Sequence, residues 1–462
     1  MTDWTPTLPL DNTPHYLAIA SSIANDIQSG RLTYGQRLPP QRILARQLDI
    51  HFTTIARGYV EAQKRGLIES KVGHGTFVCV HPPSRRPAQQ QVVRPVDLTM
   101  NLPPETTDPD LLDRMRYGME SIAADIAAVM RYQGFGGSDS DKQAALAWLQ
   151  RHGLTPPSER LFVTPGAHPT ILGILTVLAQ PADTILCERI TYPGIRAITA
   201  QLGLKLVGLE TDDDGIDPEA LDNACKTRNP KALYLNPNLK NPTTLTIPEG
   251  RRRGIVAVAR KYNVPIIEDD AYGFIVPRNN YIVPFSALAP ELTWHIAGLS
   301  KCLGAGLRAA YVIPPDSRSI WAFTSALRAF TVMASPLTVG LATQWINDGT
   351  ATMMIRSIRL EMAERQKLAK SSLPIGSFKG NPLSFSIWLT LPEMWARSVF
   401  VEHLRATGIG VVASDAFVTQ GPAPEAVRVC LGGPANRFQI KGALEYIAHA
   451  MTQPHASVST II

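Results

Sequence analysis

Five short apolar runs, LFVTPG, TILCE, ALYLNP, PIIEDD and WHIAGLS, each close on a turn residue or an acid and alternate with stretches of helical period such as 167 to 179 and 248 to 262. Runs of this length without polar alternation read as strands buried on both faces, and the intervening helices supply the long crossovers that parallel strands require. The chain from residue 96 onward is therefore expected to form an α/β fold, a mainly parallel sheet with helices on both sides. In such sheets ligands bind beyond the carboxyl ends of the strands. The residues that follow each run are the first place to look for chemistry.

The last run continues as HIAGLSKCLGAGLRAAYV, residues 295 to 312, which sets Lys301 among small and apolar neighbours. Most lysines are solvated surface charges. A lysine in so lean a setting instead loses protons easily and becomes a nucleophile, as a Schiff-base lysine must. IIEDDAY places two acids at a strand end, where an acid also serves simply as a helix cap; LYLNPNLKNPTT ends another strand with Asn241 before Pro242. VTPGAHPTILGIL makes a glycine turn into a helix whose first amides can receive a phosphate, and Arg308 can reach the same anion. A lysine for an aldehyde, an acid for a ring nitrogen and a helix N-terminus for a phosphate together describe pyridoxal 5′-phosphate (PLP).

The 462-residue chain is longer than one ordinary domain. HPPSRRPAQQQVVRP, residues 81 to 95, carries no period and is expected to be a linker, spanning roughly 20 Å as flexible coil or about 50 Å extended. Residues 1 to 95 hold 11 basic against 6 acidic residues, most of the whole-chain net charge of +6. Such an excess suits an anionic partner for the front module alone, or a merely solvated positive face. Within residues 10 to 80, a helix ends at Gly30, a second runs from about Pro40 to Leu48, and a third from Phe52 to about Arg65. A three-residue turn joins the last two as a helix-turn-helix, and GLIESKVGHGTFVCV follows with the period of a two-stranded wing.

RLPPQRILARQLDIHFTTIARGYVEAQKRGLIESKVGHGTFV resembles the winged helix-turn-helix of GntR-type transcription regulators. The resemblance implies that the third helix enters the major groove of an operator, with Thr53, Thr54 and Arg57 at base edges and Arg42, Lys71 and His74 at phosphates. Thr54 and Ile55 could instead only pack the module. Relatives usually have Ser-Arg where this chain has His51 and Phe52. The order of TPGA, TYPG, NPT, DDAY and SKCLGAGLR is similar to that of fold-type I aminotransferases across roughly residues 98 to 450. The two halves together resemble the MocR subfamily of regulators.

That resemblance implies roles residue by residue. Lys301 would carry PLP, Asp269 would hold the pyridine nitrogen, and Asn241 and Tyr272 would bond the phenolic oxygen; Asp269 is preferred to Asp270 because the family spacing sets the acid three residues before Tyr272. Tyr192 would stack on the ring, and Gly166, Ala167, His168 and Arg308 would hold the phosphate, with Tyr132 contributing from a partner subunit. Core packing is the other reading of Tyr132 and Tyr192. Arg428, in AVRVCLGG, would clamp a carboxylate of an amino-compound effector. Gly298 stands where relatives have Ser or Thr, His168 where they often have Gln or Asn, and NPTT replaces NPTG.

The expected organisation is a DNA-binding domain at 10 to 80, a linker at 81 to 95 and an aminotransferase-like domain at 96 to 453. This last divides into a large domain of about 130 to 340 and an α+β subdomain of about 341 to 453, with a disordered tail at 454 to 462. A regulator sensing PLP or an amino compound, built as a head-to-tail homodimer, is the preferred reading, with little or no transaminase activity; a working aminotransferase with an auxiliary DNA-binding module is the alternative. Five scattered cysteines, no signal-like N-terminus and no run of about 18 apolar residues predict a cytoplasmic protein with no metal site and no membrane partner.

Overall fold

The computed structural model describes residues 4–6, 14–33, 35–65, 67–71, 75–79 and 96–452. His74, the 81 to 95 linker and the 454 to 462 tail lie outside the described residues. The chain divides into two compact units, Met1–Arg94 and Pro95–Ile462.

In the first unit, helices His15–Gln28, Gln41–Leu48 and Phe52–Lys64 are followed by the antiparallel pair Ile68–Lys71 and Gly75–Val78. Ile55, Tyr59 and Ala62 recur at helical spacing on the third helix and pack with Ile19, Ile23 and Leu44 into one core. Ile55 is thus a core residue. Asp49 adopts a left-handed conformation (φ 52°) that turns the chain sharply after the second helix, as Asp does at low steric cost. His51 then caps the third helix, its Nδ1 accepting from the Thr53 amide at 3.4 Å and lying 2.7 Å from the Thr53 hydroxyl. Trp4 closes the core from the N-terminal side, its indole N–H donating to Asp26 at 2.8 Å.

The second unit is built on a seven-stranded sheet. Across it the strands run Phe162–Thr164, Ala310–Ile313, Thr293–Gly298, Ile266–Asp269, Ala232–Leu235, Thr184–Glu188 and Lys205–Leu209. The last five are mutually parallel, while Ala310–Ile313 is antiparallel to both its neighbours. The exception has a simple cause: the return from Gly298 to Ala310 is too short for a crossover, so the chain can only double back. Period-2 geometry shares the strands between two cores. Ile185, Tyr234 and Ile267 pack on one face with the helix Ala167–Leu178, and Leu186, Leu235 and Ile266 on the other with the helix Glu249–Tyr262.

The chain after residue 340 gives the 23-residue helix Thr350–Ser372 and a four-stranded antiparallel sheet in the order Phe378–Gly380, Ser386–Thr390, Ala426–Cys430, Val412–Ala413. Arg428 sits mid-strand there, opposite Trp388 and Val412. Among the described residues no helix is long and apolar enough to cross a membrane.

Candidate functional site

A cavity lies at the carboxyl edge of the large sheet. Of the residues expected there, Ala167, His168, Tyr192, Asn241, Asp269, Tyr272, Lys301 and Arg308 line it. Lys301 stands in the return between two adjacent strands, and its Nζ donates to the backbone carbonyl of Asn101. Burial holds the amine down at about 8, with Cys430 and Asp269 opposing the shift and Arg428 adding to it. Roughly a tenth of Lys301 is therefore unprotonated at pH 7, far more than of an ordinary lysine.

Strand alternation separates the two neighbouring acids. Asp269 keeps one carboxylate oxygen bonded to the Tyr234 hydroxyl at 2.7 Å, while its Oδ1 is buried with no partner. Both oxygens of Asp270 are committed, one to the Asn238 amide at 2.7 Å and the other to the Tyr281 hydroxyl at 2.6 Å. Burial pushes Asp269 up to about 6; the Tyr234 hydrogen bond opposes this and the Asp270 charge reinforces it. A cationic ring N–H placed against Oδ1 would satisfy the orphaned atom and restore the charged form. Of the two acids, Asp269 is the one with an oxygen to offer.

The remaining walls follow from local geometry. Gly166 has φ 104°, a conformation suited to glycine, and opens the helix Ala167–Leu178 with free amides. A Cβ there would sit an ordinary 3.6 Å from the Arg308 carbonyl carbon, so it is the positive φ and not crowding that calls for glycine. Burial and the Arg308 charge lower the pKa of His168, which favours a neutral ring. The Tyr192 ring folds back over Gly194, where a Cβ would come within 2.1 Å of Cε1; the glycine of TYPG is what lets this ring face the cavity. Asn241 accepts from Arg428 Nη1 at 2.8 Å, and the Tyr272 hydroxyl accepts from the Asn101 amide at 2.8 Å.

Two expected residues stand elsewhere. Arg428 is buried one hydrogen bond behind the cavity wall, between Asn241 and the Thr99 carbonyl. Tyr132 is 83% exposed, which removes the core-packing reading. Sequence reasoning missed Asn101, Asn236, Tyr234 and Ser300. Asn236 donates to the Asp269 carbonyl at 2.6 Å and accepts from the Asn241 amide at 3.1 Å, so it fastens two strand ends together. It precedes a proline at a strand end as Asn241 precedes one in the following loop, and that repeat was the available signal.

On the first unit, Arg42, Thr53 and Arg57 are exposed and Thr54 is half-buried. The Arg57 guanidinium lies over the Tyr16 ring at 4.5 Å and that of Arg42 over Phe52 at 5.9 Å. Lys71 closes the first wing strand. The side chains of Lys71 and His74 lie outside the described residues.

A family model for aminotransferase class I and II matches residues 94–447, more than three quarters of the chain. The chain belongs to this family. A second model, for bacterial regulatory proteins of the gntR family, matches residues 15–78, so this aminotransferase-family chain also carries a helix-turn-helix module of a DNA-binding class. The pairing is the MocR arrangement. The chain is 30% identical over 96% of its length, and 95% of the relative's, to the uncharacterized HTH-type transcriptional regulator YdeF of Bacillus subtilis. It is 23% identical over 94% of its length, and 98% of the relative's, to the uncharacterized HTH-type transcriptional regulator YjiR of Escherichia coli. The rat mitochondrial kynurenine/alpha-aminoadipate aminotransferase matches 34% of this chain and 40% of its own, at 30% identity.

Among solved structures, an archaeal alanine:glyoxylate aminotransferase superposes with a TM-score of 0.70 at 23% identity over 79% of this chain and 92% of its own. LysN of Thermus thermophilus, an alpha-aminoadipate aminotransferase, does so with 0.69 at 18% identity over 77% and 92%. These establish the fold of the second unit as that of fold-type I aminotransferases.

Proposed function

We propose that the protein is a transcription regulator whose first unit binds operator DNA and whose second unit holds PLP on Lys301 and takes an amino compound as effector. The observation that carries this reading is the meeting of Lys301 with the unpartnered Oδ1 of Asp269 at one cavity, in a chain that also bears a gntR-type module. The relatives that match nearly the whole chain are named transcriptional regulators, whereas the aminotransferase relative matches about a third. The LysN structure holds N-(5′-phosphopyridoxyl)-L-leucine, so that protein's site accepts the cofactor joined to an amino acid.

Bound PLP supplies an electrophilic carbon conjugated to an electron-withdrawing ring. Lys301 would hold that carbon, Asp269 the ring nitrogen, Asn241 and Tyr272 the phenolic oxygen, and Tyr192 the ring face. Gly166, Ala167, His168 and Arg308 would hold the phosphate, joined by Tyr132 of a second copy in a head-to-tail homodimer. Arg428 would meet the carboxylate of the effector. An effector alters DNA binding only by favouring one arrangement of the dimer over another. The protein would act in the cytoplasm, at the nucleoid when bound to DNA.

The test is the visible spectrum of purified protein titrated with PLP and then with amino acids and amines, alongside an operator footprint. A PLP band that one compound shifts lastingly, with a changed footprint, supports the reading. A band that converts to the pyridoxamine form and returns with a keto acid would make the chain a working transaminase, and no band at all would end the cofactor assignment.

Three further outcomes are expected. PLP capture by the cofactor-free protein should accelerate about tenfold per pH unit below pH 8 and level off above it, because only the unprotonated Lys301 attacks; an ordinary lysine would keep accelerating toward pH 10. Stopped-flow absorbance reads this directly. Gly298→Ser should bind PLP roughly tenfold or more tightly in an equilibrium titration. A Cβ there meets only Ala167 and Ala271 at 3.8 and 3.9 Å, and a hydroxyl beside the phosphate turn adds a charge-assisted hydrogen bond. Arg57→Ala should weaken operator binding by about 1–3 kcal/mol in a mobility-shift assay while leaving the PLP band in place.

A further inference from the structure

The stretch from Leu98 to Glu105 is fastened at both ends. Leu98 donates to Gly410 and accepts from Cys430, both at 2.9 Å; farther along, Pro103 accepts from Gly433 at 3.1 Å and Glu105 donates to it at 3.4 Å. Between these pins the chain turns its polar groups to the site. The Thr99 carbonyl accepts from Arg428, the Asn101 carbonyl accepts from Lys301, and the Asn101 amide donates to Tyr272 at 2.8 Å. Two residues that line the cavity, Lys301 and Tyr272, and Arg428 behind its wall are thus occupied by one short bow of backbone.

The occupation is incomplete. Asn101 Oδ1 and Arg428 Nε are buried with no partner, and the acceptors offered to the two cations are neutral carbonyls. A carboxylate offers a guanidinium an opposite charge and two acceptor oxygens in a fork, which a single neutral carbonyl does not. Attachment of Lys301 Nζ to a carbonyl carbon expels water and leaves the nitrogen at most one hydrogen, so its bond to Asn101 cannot persist unchanged. Both bonds of the bow therefore compete directly with ligand binding.

Resting on the function proposed above, we infer that the Thr99–Asn101 bow is an internal stand-in for the ligand, displaced when cofactor and effector take up Lys301 and Arg428. The bow begins a few residues after the 81 to 95 linker, so a displacement that also loosens the pin at Leu98 alters the point at which the second unit takes up the chain. Sequence continuity alone provides this route. Asn101 is accordingly a positioning residue, acting on Lys301 and Tyr272.

Hydrogen exchange of the full-length protein, read by mass spectrometry without and with PLP, tests the inference. The amides of Leu98, Leu102 and Glu105, whose bonds to Gly410, Met100 and Gly433 hold the bow in shape, are expected to exchange about tenfold faster once the visible PLP band has formed, the loss of about one hydrogen bond's worth of protection at each, with Ile266–Asp269 unchanged. Gly432→Ala gives an independent arm. A Cβ there would lie 1.8 Å from the Leu102 carbonyl oxygen, so the variant should lift the bow and show the faster exchange without PLP. Unchanged or slower exchange in the presence of the band overturns the stand-in and leaves the cofactor reading standing; absence of the band overturns both. A Gly432→Ala protein that exchanges like the PLP-free wild type also overturns it.

Discussion

Lys301→Ala is expected to yield a folded protein that PLP no longer colours and borohydride no longer traps. Among the described residues the side chain is the one amine lining the cavity, so its loss removes the covalent attachment outright rather than weakening it. The fold should survive. The variant leaves the Asn101 carbonyl without its donor, at about 1–3 kcal/mol, but also removes an amine that burial had already made costly to charge. Absorbance and borohydride trapping read the first expectation, and a thermal melt with size-exclusion chromatography reads the second. Unchanged trapping in the variant would show that PLP attaches elsewhere.

Arg428→Gln should separate carboxylated from uncarboxylated ligands. Breaking a buried charge pair costs about 2–5 kcal/mol, so an α-amino acid that shifts the PLP band of the wild type should bind roughly 30-fold to several-thousand-fold more weakly. The corresponding decarboxylated amine should change little. Gln keeps a donor for Asn241 Oδ1, which limits structural damage, and the PLP band itself should persist. Equal weakening of acid and amine would show that Arg428 supports the wall of the cavity without touching the ligand.

The parallel sheet, the winged module and most of the cavity could be read in the sequence because each depends on short-range rules: period, turn chemistry and strand-end residues. Lys301, Asp269 and Asn241 all stand at or just beyond strand ends, where topology brings them together whatever lies between. The network behind them was not legible. Tyr234 reads as one more apolar strand residue until pairing with Ile267 sets it beside Asp269. Asn101 lies 200 residues from Lys301 with no local pattern to mark it. Arg428 reads as a clamp from AVRVCLGG, yet its burial between Asn241 and Thr99 depends on where the small sheet sits, which no local rule specifies.

NPTT, read as a departure, has a structural counterpart. Thr244 takes φ 62°, a left-handed conformation unfavourable for a β-branched residue, where glycine would pass freely. The loop holds nonetheless, because Lys240 reaches Glu188 at 2.8 Å and Arg252 donates to Ile247, Pro237 and Asn238 beneath it.

The doubling back of the chain between Gly298 and Ala310 sets how much this protein can vary in length. Leu299 bonds Ala309, Gly298 pairs with Ala310, and both flanking strands are paired in register on their far sides. One residue added or removed within the return would either bulge Lys301 away from the cavity or slide Ala310–Ile313 by one position and turn its side chains to the opposite face. The sequence HPPSRRPAQQQVVRP at 81 to 95 shows no apolar period for a change of length to shift. Insertions and deletions among homologous chains should therefore accumulate in the tether and be all but absent from the lysine return.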